Sequence, residues 1–130
     1  MTAGSPRTIM VRVDPKETLR EFYRNRAARK QETARKQRER FEALLPRIVE
    51  GILERDPQVS RIVLFGSLAE REEGIVRDID LAIESTDFFR ASGWLLSLPE
   101  AIDVVDLNEL DPHILERVET KGRVLYEQTS

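Results

Sequence analysis

Apolar residues at Phe41, Leu44, Leu45, Ile48, Val49, Ile52 and Leu53 follow the i, i+3, i+4 rhythm of a helix that turns one face to a core. Upstream the rhythm fades. Asp14-Pro15 supplies a capping carboxylate and a proline suited to the first helical turn, and no Gly or Pro follows until Pro46. The segment from Lys16 to about Leu45 therefore reads as helix, with one apolar patch at Leu19, Phe22 and Tyr23. Pro46 is expected to kink or restart it, and Asp56-Pro57 to end it. Between Arg24 and Arg40 only Ala27, Ala28 and Ala34 are apolar, too few to bury that stretch. A short strand is expected before the helix, over Thr8 to Val13.

Downstream the pattern shortens into strands. Arg61 to Phe65 (RIVLF) reads as a buried strand stopped by Gly66-Ser67, with a helical turn over Leu68 to Glu73 and a loop at Gly74. Ile79 to Ile83 and Ile102 to Leu107 read as further strands, separated by a short helix over Phe88 to Leu98 that Pro99 closes. Asp111-Pro112 repeats the cap-then-proline signal for a helix over His113 to Thr120, and Lys121-Gly122 ends it before the apolar triplet Val124-Leu125-Tyr126. These elements predict an α/β (α+β) domain over residues 41–130. Residues 1–40 form an N-terminal helical extension.

Composition narrows the class. At 130 residues and 40% hydrophobic content the chain suits one domain with a modest core. It has no cysteine, which excludes disulfides and thiolate metal sites. No signal-peptide or membrane-length apolar run is found, so a soluble, cytoplasmic protein is expected. The net charge of −3 is unevenly spread: residues 1–55 hold 14 Lys/Arg against 8 Asp/Glu, and residues 56–130 hold 7 against 16. Arg24 to Arg40 alone carries eight basic residues and two acidic ones. The basic helix suits a solvated face, then a partner protein or a second copy of the chain. Nucleic acid ranks behind these because the body is acidic.

That acidity has a focus. Gly66-Ser67 closes a buried strand, where a backbone without Cβ and a hydroxyl can approach a phosphate. Ten residues later Asp78 and Asp80 flank Ile79, so at strand period two both carboxylates face one way. Adjacent carboxylates repel, and a hard divalent cation such as Mg²⁺ relieves the repulsion. Asp103, on the neighbouring strand, is preferred as a third carboxylate over Asp106, which lies three residues on and faces the other side. The single histidine, His113, reads as a helix-surface residue, and Trp94, Phe88 and Phe89 as core or interface.

The segment FGSLAEREEGIVRDIDLAI, Gly-Ser, ten residues, then Asp-x-Asp, resembles the hallmark of the DNA polymerase β-like nucleotidyltransferase superfamily. Leu44 to Tyr126 looks like its minimal nucleotidyltransferase group, down to the tail DVVDLNELDPHILERVETKGRVLYE. The resemblance implies a nucleotidyltransferase fold, a small mixed β-sheet flanked by helices, and a two-metal Mg²⁺ site at Asp78, Asp80 and Asp103, with Asp103 as third ligand or base. It also implies a triphosphate, of ATP or another NTP, held by Gly66 and Ser67. Transfer of AMP to a hydroxyl of a HEPN-type partner protein, in a toxin–antitoxin pair, follows by the same analogy. The pattern is departed from at Glu70 and Arg71, where the group carries a basic residue and then Gly, and at Arg77, where it carries Ser. Glu70 would weaken triphosphate binding and Arg71 and Arg77 would compensate. A second reading is therefore a catalytically weak or inactive binding module that neutralises a partner by contact.

Overall fold

The computed structural model describes residues 14–129. The strand expected over Thr8 to Val13 lies outside the described residues. The chain divides into two units, residues 1–30 and 31–130.

In the first unit the described residues are Asp14, exposed ahead of the helix, and the start of α1 (Pro15–Arg55). Asp14 caps it, its carboxylate accepting from the Lys16 N–H at 2.9 Å. Leu19, Phe22 and Tyr23 lie 53%, 53% and 57% exposed, with the two rings edge to face at 5.7 Å. The apolar patch read from the sequence is thus exposed.

The second unit is built on a four-stranded mixed sheet ordered β3-β2-β1-β4, from β1 (Arg61–Phe65), β2 (Ile79–Glu84), β3 (Ile102–Asp106) and β4 (Arg123–Glu127). β1 runs antiparallel to β2 and to β4, whereas β2 and β3 are parallel. The remaining part of α1 packs Phe41, Leu45, Ile48 and Ile52 against Ile62, Leu64, Ile79, Leu81 and Ile83, the core positions that the helical and strand periods predict. On the opposite face, Val63 and Ala82 meet Leu107 and Val118, the latter from α4 (Pro112–Lys121). Both faces are covered along residues 62–64 of β1 and 81–83 of β2, which explains the apolar runs there.

Of the two outcomes expected at Pro46, a kink or a restart, the restart does not occur: α1 runs unbroken to Arg55. Pro46 is exposed, and buried Leu45 and Ile48 on either side anchor both halves to the core, outweighing the lost hydrogen bond. The helix expected over Phe88 to Leu98 is two elements: α3 (Phe88–Ser92), then a 3₁₀ helix over Gly93–Ser97. There the Trp94 ring lies against Gly51 of α1, where an added Cβ would sit 2.3 Å from the ring. Arg55 covers the same ring at 4.3 Å. Trp94 is thus largely packing, while Phe89 is 83% exposed.

Candidate active site

The site forms where β2 and β3 begin. Asp80 pairs in register with Asp103 across the parallel ladder, so their side chains share a face. Asp78 stands two residues ahead on the same face, while Ile79 between them is fully buried in the core. The three side chains each bring a carboxylate oxygen within 4.8 Å of the others. Asp106 turns elsewhere: its carboxylate accepts from the Asn108 N–H at 3.0 Å, opening a 3₁₀ turn over Leu107–Glu109. His113 is exposed on α4.

Gly66 closes the site from β1, whose Phe65 pairs with Asp80. With φ 71° and ψ −155°, Gly66 occupies a region essentially closed to other residues. A Cβ there would meet Asp80 Oδ2 at 2.2 Å. One position thus requires glycine twice, for its backbone angles and for the carboxylate lying against it. Ser67 follows at the start of α2 (Ser67–Glu70), so the Gly-Ser turn and the carboxylates are physically adjacent.

Burial raises the pKa values of two of the three carboxyls. Burial, followed by the charges of Asp78 and Asp103, pushes Asp80 up to about 6. Asp78 is raised first by burial, then by a hydrogen bond shared with the Asp103 carboxylate and by its charge, with Arg77 opposing. Three oxygen donors this close together, two of them on carboxyls with raised pKa values, fit a hard divalent cation.

The structure also answers the departure at Glu70. That side chain is only 15% exposed and accepts from Arg117 Nε of α4 at 2.9 Å. Its charge is paired at the surface, where Arg117 is 64% exposed. Arg117 carried no sequence signal, because the contact spans 47 positions. Arg71 and Arg77 are both exposed at the edges of the loop that joins the turn to the aspartates.

Residues 48–130 match the family described as polymerase beta, nucleotidyltransferase. The chain belongs to that nucleotidyltransferase family. Solved structures agree. The structure of a mutant MntA–HpeT toxin–antitoxin is 26% identical over 64% of this chain and 71% of that one, with TM-score 0.50. A toxin–antitoxin with AMP-PNP is 26% identical, covering 63% and 73%, with TM-score 0.51. A tri-AMPylated Shewanella oneidensis HEPN toxin in complex with its MNT antitoxin provides a chain 23% identical, covering 67% and 72%, with TM-score 0.51. No curated protein sequence matches significantly. The resemblance to minimal nucleotidyltransferases, read from Gly66-Ser67 and Asp78-x-Asp80, is borne out. Among the described residues, no helix is long and apolar enough to cross a membrane.

Proposed function

We propose that this nucleotidyltransferase transfers a nucleoside monophosphate, AMP from ATP, to a hydroxyl of a separate HEPN-type toxin protein, in a reaction that needs Mg²⁺. The carrying observation is the convergence of Asp78, Asp80 and Asp103 within 4.8 Å, with Asp80 lying against Gly66. The 26% identical structures support the nucleotide and the partner, one being a toxin–antitoxin with AMP-PNP and another a toxin–antitoxin complex.

Bound at the three aspartates, Mg²⁺ would neutralise the triphosphate and the departing pyrophosphate. The chain's own groups do the rest. Gly66 lets the triphosphate approach the backbone, Ser67 donates its hydroxyl to a phosphate oxygen, and Arg71 and Arg77 add positive charge at the loop's edges. The acceptor oxygen bonds to the α-phosphorus as the bond from that phosphorus to pyrophosphate breaks. The acceptor proton passes to exposed Asp103.

Incubation with α-labelled ATP, Mg²⁺ and a co-encoded all-helical partner tests this reading. Label is expected on the partner with the native chain, reduced at least about a hundredfold in Asp78→Asn/Asp80→Asn. No transfer, or equal transfer by both, would remove catalysis and leave neutralisation by contact. That second role rests on two grounds, the charge of Glu70, which pairs with Arg117, and the basic helix, which buries little of itself.

A further inference from the structure

The aspartates are not held equally. Asp80 is fixed by its ladder partner Asp103 and by Gly66. Asp78 precedes β2, on the loop that leaves α2. The Arg71 N–H is bonded to the Ser67 carbonyl and the Ile79 N–H to the Ala101 carbonyl. Between them, residues 72–78 make no backbone–backbone hydrogen bond among the described residues. A free loop of that length would let the Asp78 carboxylate wander, at little enthalpic cost.

Two side-chain anchors replace the missing backbone bonds. Val76 is fully buried in the main core. The other anchor comes from α1, well before the segment that matches the family. Arg38 Nε donates to the Gly74 carbonyl and Nη2 to the Glu73 carbonyl, both at 3.1 Å. Gly74, at φ +98°, bends the loop, and no atom crowds the place where its Cβ would be. Its glycine therefore serves the bend alone, and the bend turns both carbonyls to the guanidinium. Neighbouring cations have other work: Arg35 bridges Glu32 and Glu39, and Lys36 lies beside Glu32.

We propose that Arg38 is a positioning residue for the active site, its planar fork gripping the 73–74 carbonyls so that Asp78 is held with Asp80 and Asp103. The geometry requires arginine. Two parallel N–H donors match two adjacent carbonyls, whereas the single ammonium of lysine does not reproduce the fork. This inference rests on the metal-dependent reading of the site, but the loop's rigidity can be measured without it.

Amide order parameters from NMR relaxation and Mn²⁺ uptake, followed by spin resonance of the free ion, are compared in the native full chain, Arg38→Ala and Arg38→Lys. In Arg38→Ala, order parameters over residues 72–78 are expected to fall from about 0.85 to about 0.6 while β1 and β2 keep theirs. Mn²⁺ affinity is expected to fall about three- to tenfold in the same variant, with Arg38→Lys recovering only part of each effect. Unchanged loop order overturns the proposal, and so does lowered order with unchanged Mn²⁺ affinity. Equal loss of order throughout the sheet overturns it too, by making Arg38 a general stabiliser. If the native chain takes up no Mn²⁺, the metal reading of the site fails, and the order parameters alone decide whether Arg38 holds the loop.

Discussion

Asp80 carries two opposed demands, and they can be separated by pH. Its carboxyl, raised to about 6 by burial and by Asp78 and Asp103, ordinarily titrates near 3.8. Between those values the folded metal-free chain binds a proton that the unfolded chain has released. Stability from this group is therefore complete below about 3.8, falls as pH rises through 6, and stays lower above it. Asp80→Asn removes the ionisation while keeping the shape against Gly66. It is expected to melt higher than the native chain at pH 7.5 without metal, to converge with it near pH 3.5, and to lose Mn²⁺ binding. A lower melting temperature at pH 7.5 would mean that the carboxylate is stabilising as it stands. At Gly66 both demands coincide in one backbone. Gly66→Ala must leave its φ of 71° and displace the Asp80 oxygen. About 1–3 kcal/mol of stability is expected to be lost in a denaturant melt, with Mn²⁺ affinity falling at the same time.

Gly51 shows how an element can obey packing against its own propensity. In mid-helix, glycine costs about 1 kcal/mol relative to alanine, so Gly51→Ala should stabilise α1 on helix propensity alone. The Trp94 ring, 2.3 Å from the missing Cβ and held under Arg55, reverses that sign. A net loss of about 1–3 kcal/mol is expected from overpacking, read as an earlier melt with reduced Trp94 burial in fluorescence. A gain in stability would show that the ring moves aside freely. The same contrast explains what was legible in the sequence. β1, β2 and the core stripe Phe41, Leu45, Ile48 and Ile52 could be read because period and burial agree there. The Gly-Ser turn and Asp78-x-Asp80 could be read because their spacing is local. That Pro46 does not restart the helix was not legible, because its cost is local while its compensation, the burial of Leu45 and Ile48, is tertiary. Arg117 on Glu70 and Arg38 on Gly74 were illegible for a related reason. Each joins residues 35 to 47 positions apart, with no periodicity to mark the pair.

At the scale of the whole molecule, the charge asymmetry separates two tasks. Every residue of the two hydrophobic clusters, and every aspartate of the site, lies at or beyond Phe41. Among the described residues, none of those up to Lys30 belongs to either cluster, and Leu19, Phe22 and Tyr23 are at least half exposed within a strongly basic sequence. An exposed apolar triplet flanked by cations costs solubility unless it is used, and the proposed reaction supplies a use because its acceptor is a second protein. Removing residues 1–30 is thus expected to leave the melting temperature and Mn²⁺ affinity of the remainder close to native. Co-purification with the partner should weaken at least tenfold, about what the loss of one buried aromatic anchor costs an interface. Leu19→Ala/Phe22→Ala in the full chain should reproduce much of that loss without shortening the helix. Should the truncated chain melt early, the first unit is instead part of the fold. Should it bind the partner as before, recognition belongs to the acidic body, and the basic helix is only a solvated one.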